Sequence, residues 1–169
     1  MGNLKFIKSA SGTSVSSLEV TNTFSANYDV YKIVAKDIDT TVEDWIYFRF
    51  IDSVGSPVTA GNYDYASLYL RSWTTFSEQR GTNNGFFPRW TVQDTGSEDN
   101  GGVVTYVFNP YSSSSYTYLI NQASFNTSLG QAGLKGIVVL KQSATMTGFQ
   151  IYPNSGTFDN VSLSVYGVK

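Results

Sequence analysis

The chain has 169 residues with neither histidine nor cysteine, yet it carries 12 tyrosines and 11 phenylalanines, and only 14% of it is charged. Without His no side chain titrates unaided near neutrality, and without Cys there is no thiolate nucleophile, disulfide or zinc-thiolate site. Eleven Lys and Arg against 13 Asp and Glu leave a net charge of −2, without the basic stripe that a nucleic-acid binder or a charged membrane-surface binder uses.

A chain of this length is expected to form one domain, 1–169, able to bury about 70% of its unfolded surface without staples. Met1 to Lys8 has two lysines but no apolar run of signal-peptide length behind them. No apolar run approaches a membrane span, so the expectation is a protein made in a cytoplasm with no membrane partner.

In chain order, short β-rich segments bounded by turn residues predict strands at Leu4–Ser9, Val15–Asn22 and Val30–Lys36. Trp45-Ile-Tyr-Phe-Arg-Phe-Ile-Asp52 is apolar on both faces except at Arg49, which predicts a central strand ended by the turn Asp52 to Pro57. Further strands are predicted at Ala66–Trp73, Phe86–Gln93, Val103–Asn109, Tyr116–Gln122, Ile137–Gln142 and Met146–Tyr152. Val161 to Val168 alternates cleanly, with Val161, Leu163 and Val165 on one face. Ser124–Ala132 could hold a helical turn, and Thr74–Arg89 reads as the longest irregular loop.

Eleven short strands cannot remain one flat sheet, so the predicted fold is all-β: a two-sheet antiparallel β-sandwich, jelly-roll-like. Its core is predicted to contain Ile46, Phe48, Phe50, Leu68, Leu70, Val139, Phe149, Ile151, Leu163 and Val165.

The acids cluster at Asp37, Asp39, Glu43 and Asp44, and again at Asp94, Glu98 and Asp99. A glycosidase needs two carboxylates facing each other across a cleft on rigid elements. Acids in turns serve turn geometry and solubility instead, and serine has no base to activate it. No enzymatic activity is expected. Asp37, Asp39 and the segment Phe158–Val161 could offer oxygens to calcium, but turn chemistry explains the same residues, so neither metal nor cofactor is predicted. Gly130 to Gly136 lacks the GK[ST] ending of a phosphate loop.

Aromatic and arginine residues at strand ends remain: Trp73, Phe76, Arg80, Phe86, Phe87, Arg89 and Trp90. Flat aromatic faces suit sugar rings, and an Arg-rich, Lys-poor aromatic patch equally suits a protein interface. These seven form the predicted contact surface.

Several strings go further. Val103 to Thr117 and Lys135 to Tyr152 resemble small β-rich virion proteins of tailed phages of marine bacteria, especially cyanobacteria. So do Asp29-Val-Tyr-Lys-Ile-Val34, Phe48-Arg-Phe-Ile-Asp52, Tyr63-Asp-Tyr-Ala66 and the closing Val165-Tyr-Gly-Val-Lys169. The resemblance implies a virion component, foremost a capsid decoration or knob protein. Its partners would be capsid or other virion proteins, with homo-oligomer formation compatible, and nucleic acid is not among them. The alternative is a lectin-like tail, fibre or surface module contacting host glycan.

Overall fold

The computed structural model describes residues 3–93 and 101–169; the predicted turn at Asp94, Glu98 and Asp99 lies outside them. The described residues form twelve strands and contain no helix. They are β1 (Leu4–Val15), β2 (Leu18–Val20), β3 (Val30–Thr40), β4 (Asp44–Asp52), β5 (Tyr63–Arg71) and β6 (Ser77–Asn84), followed by β7 (Phe87–Gln93), β8 (Gly101–Phe108), β9 (Thr117–Thr127), β10 (Gly130–Leu140), β11 (Met146–Pro153) and β12 (Phe158–Val168).

The strands form two antiparallel sheets of a β-sandwich. The larger has the order β1-β12-β3-β8-β9-β10-β5-β6 and the smaller β2-β11-β4-β7. Pairing is nested: β5 with β6, β4 with β7, β3 with β8, β2 with β11 and β1 with β12, alternating between the sheets. This wrapping is that of a jelly roll. The β9–β10 hairpin widens the larger sheet between β8 and β5.

Alternation decides what enters the core. Ile46, Phe48 and Phe50 of β4 point inward and are fully buried, with Phe48 stacked on Phe149 of β11 at 5.4 Å between centroids. Ile33 of β3 and Leu163 and Val165 of β12 complete the same layer from the larger sheet. Tyr63 of β5 reaches across the sandwich, where its hydroxyl accepts the Phe50 N–H at 2.8 Å. Burial pushes that hydroxyl well above the ordinary phenol range, with the Phe50 hydrogen bond opposing.

Three expectations are corrected. Ser124–Ala132 holds no helical turn: β9 runs to Thr127, β10 starts at Gly130, and Ser128 and Leu129 form a two-residue hairpin turn. Thr127 Oγ1 accepts the Leu129 N–H at 3.2 Å, and Gly130 takes a φ of 125°, a conformation glycine tolerates. The stretch Thr74–Arg89 is not one irregular loop, because it contains β6. As an edge strand with polar residues on both faces, β6 shows no apolar alternation in the sequence. Finally, Leu68, Leu70 and Val139 are half-buried on the outer face of the larger sheet, not in the core; their strands are apolar on both faces, so alternation does not distinguish the inward set from the outward one.

Candidate functional site

The seven predicted contact residues separate into three environments. Phe87 and Trp90 are fully buried core residues and cannot form a contact surface, which corrects the expectation for both. Trp90 is held inside by polar partners: its indole N–H donates to Thr105 Oγ1 at 2.9 Å, and the Asn121 amide donates to its carbonyl at 2.7 Å.

Trp73, Phe86 and Arg89 are half-buried and engaged within the chain. Trp73 packs against a satellite cluster of Val92, Phe125, Ala132 and Leu134. Phe86 stacks on Tyr47 at 4.6 Å, with the Arg49 guanidinium 5.5 Å from its ring. Arg49 also lies 4.7 Å from the Tyr152 ring; burial pushes the Tyr152 hydroxyl up to about 12, with Arg49 opposing. Arg89 lies 3.5 Å from the centroid of Trp45 and donates from Nε to Gln79 Oε1 at 2.9 Å. Burial lowers its pKa, the neighbouring Tyr65, Tyr47 and Tyr69 oppose, and an arginine remains charged under such a shift.

Arg80 and Phe76 alone are openly exposed, and both border the outer face of the larger sheet. That face is the feature that sequence reasoning missed. Cross-strand pairing sets side chains in rows: Phe6, Tyr166, Lys32, Tyr106, Ile120, Ile137, Ala66 and Arg80 are successive partners from β1 to β6. A second row places Phe108, Tyr118 and Val139 side by side. Phe6 is 54% exposed, Tyr118 and Ile120 45% each, and Ile137 60%. Tyr106, Leu68 and Leu70 on the same face are half-buried.

Toward β6 the face becomes an open groove of about 660 Å³, floored by Ala66, Ile137 and Val139 and walled by Tyr118 on one side and Arg80 and Thr82 on the other. Its shape comes from β6. The two-residue step from Tyr63 to Tyr65 on β5 is matched by a three-residue step from Gly81 to Asn84 on β6, and this bulge bends the edge strand. A Cβ at Gly81 would meet the Asn84 side-chain amide at 2.6 Å and the Tyr65 ring at 2.7 Å, so any larger residue there would have to displace both side chains. Asn83 adopts a φ of 57°, and Asp64 Oδ1 accepts its N–H at 2.9 Å. Lys141 Nζ closes the arrangement, 2.9 Å from Asp64 Oδ1 and donating to Asn83 Oδ1 at 2.9 Å. The Asn83 N–H and the Lys141 ammonium hold the Asp64 carboxyl below the usual carboxylate range.

The acids singled out in the sequence have local work. Burial raises the Asp44 carboxyl, but hydrogen bonds from Ser155, the Trp45 N–H and Asn154 outweigh it and leave the group below its ordinary value. Asp39 goes the other way: burial raises it, the Thr40 N–H opposes and Asp159 adds to the rise. Its Oδ1 is buried without a hydrogen-bond partner. Among the described residues no group of three or more acidic side chains is gathered closely enough to hold a metal ion. No helix of the described residues is long and apolar enough to cross a membrane.

No family model matches the chain, and no curated protein matches it. Among solved structures it is similar to an exo-inulinase from Aspergillus awamori, at 9% identity and a TM-score of 0.42, covering 98% of this chain and 29% of that one. It is also similar to CG-16, a homodimeric agglutinin from chicken liver, at 8% identity and a TM-score of 0.21, covering 96% of both chains. The chain thus spans under a third of the inulinase, and likenesses of this strength carry no argument about activity.

Proposed function

We propose that the chain is a non-enzymatic virion protein of a tailed phage, a decoration protein that docks on the outer capsid surface through the exposed face of its larger sheet. The observation that carries the reading is the apolar belt across that face, with Tyr118, Ile120 and Ile137 exposed side by side. Large contiguous apolar patches on soluble proteins mark sites that something else covers. Eight strands at ~4.8 Å spacing make the face about 34 Å wide, broad enough to span a standard interface of ~800 Å² per partner. The choice of a phage particle as partner rests on the sequence strings described above. Mass spectrometry of purified virions tests it directly: the chain is expected among the particle proteins, and its absence from them contradicts the proposal.

A glycan-binding role is the second reading, favoured by the exposed Tyr118 ring facing Arg80 across one groove. Binding of the isolated chain to a glycan array, lost in Tyr118→Ala, would support it.

A further inference from the structure

Four strands form the edges of the two sheets, β1 and β6 in the larger and β2 and β7 in the smaller. An edge leaves a row of backbone N–H and C=O groups facing no neighbouring strand, and proteins blunt such rows with short length, charge, proline or a bulge. Three of the four edges have such a device. β2 has three residues, β7 contains Pro88, and β6 exposes Glu78 and Arg80 and carries the bulge between Gly81 and Asn84. β1 has twelve residues, and beyond the register shift between Phe6 and Lys8 it runs unbroken against β12 as far as Thr13. Lys8 lies opposite the buried Val165 and donates from Nζ to the Thr21 carbonyl at 2.8 Å, so its charge is tied to its own chain. What remains is Ser9-Ala-Ser-Gly-Thr13, small residues without charge or proline on an edge that no strand of the described residues covers.

We infer that a second copy of this chain pairs with that edge, β1 against β1 in antiparallel fashion, about a two-fold axis through Ser11. The inference goes beyond the docking reading and does not depend on it. The stretch is complementary to itself. With the axis at Ser11, Ser9 falls opposite Thr13 of the second copy, and Ala10 opposite Gly12. Ser9, Ser11 and Thr13 are exposed on the outer face beside Ser164, Ser162 and Asn160, so pairing joins two rows of hydroxyls that hydrogen-bond across strands. Ala10 and Gly12 lie on the core side, opposite Leu163 and Val161, and meet without steric bulk. Lys8 falls opposite Ser14 and Lys5 beyond the end of the second strand, so no like charges face each other. A two-fold pair also covers the open row in both copies at once and closes as a dimer, whereas a foreign strand covers only one.

Sedimentation equilibrium of the full chain tests this with wild type, Ser11→Lys and Ser11→Glu. The average mass of the wild type should rise from one chain toward two as concentration approaches about 1 mM, the weak range proper to a small interface. Each variant sets a like charge against itself across the axis and should weaken association about tenfold or more, while an equimolar mixture of the two sets lysine against glutamate and should associate more tightly than either alone. The Ser11 side chain is exposed, so both variants should keep the circular dichroism of the wild type. A wild-type chain that stays monomeric throughout, growth beyond two copies, variants that associate as the wild type does, or a mixture no tighter than its components overturns the inference. So does loss of association in Ile137→Asp, which would show that the apolar faces meet and not the edges. Occupancy on the particle is read separately, so a monomeric chain that still binds virions removes this inference and leaves the docking reading standing.

Discussion

The indole N–H of Trp90 in the smaller sheet donates to Thr105 Oγ1 in the larger one, 2.9 Å away, with both residues fully buried. The Thr105 hydroxyl donates in turn to Asn121 Oδ1 at 2.7 Å, and the Asn121 amide donates to the Trp90 carbonyl at 2.7 Å. The closed ring satisfies three polar side chains that would each be costly to bury alone, and it fixes β7 over β8 and β9.

Opening the ring is therefore expected to cost more than the lost contact. Asn121→Leu leaves Thr105 and the Trp90 carbonyl without their partner and should destabilise the fold by about 1–3 kcal/mol in chemical denaturation. Thr105→Val should fall in the same range, and the double variant should cost clearly less than the sum, because both substitutions break one network. Full additivity would show that the two residues act separately.

The assignment of faces is tested by a pair of truncations. Phe48→Ala removes a fully buried ring and should cost about 3–5 kcal/mol. Leu68→Ala, half-buried on the outer face, should cost clearly less, about 1–2 kcal/mol, since part of its side chain stays in water and no enclosed cavity is left. Equal losses in the two variants would place Leu68 in the core.

Alkaline pH should unfold the protein through its tyrosines. An unfolded tyrosine titrates near pH 10, while burial holds Tyr152 up to about 12 and raises Tyr63 as well. Between those values the unfolded chain releases protons that the folded chain retains, so stability is fully present below about pH 10 and falls as pH rises toward 12. Burial also raises Tyr47 and Tyr69; Tyr63→Phe removes one of these four groups and should flatten the fall in part, although it leaves the Phe50 N–H without its acceptor and lowers stability at neutral pH. Denaturation midpoints from pH 8 to 12 check both effects.

Much of this architecture was legible in the sequence because period-two alternation reports burial on one face. The alternation of Val161, Leu163 and Val165, and of Ile46, Phe48 and Phe50, marked strands whose inward sets are all buried. Edge strand β6 left no such trace, since neither of its faces enters the core. The outer face was hidden for the opposite reason. In β10, Leu134, Val138 and Leu140 point inward while Ile137 and Val139 point outward, so both alternate sets are apolar and periodicity cannot tell them apart. A usable signal was present: strands apolar on both faces, in a chain with no helix to cover a second face. The aromatic side chains singled out as contacts misled for a related reason, because Phe87 and Trp90 sit near turns in the sequence yet project into the core.

Occupancy of purified phage particles by the wild-type chain, Ile137→Asp and Phe86→Ala is the most direct measurement of whether the outer face of the larger sheet is the docking surface. Ile137 is 60% exposed in the apolar belt, next to Ile120, so an aspartate there should leave the isolated domain folded by circular dichroism while sharply reducing the amount bound. Phe86 packs on Tyr47 away from that face, and its truncation should leave occupancy unchanged. Undiminished occupancy of a folded Ile137→Asp chain would contradict the account.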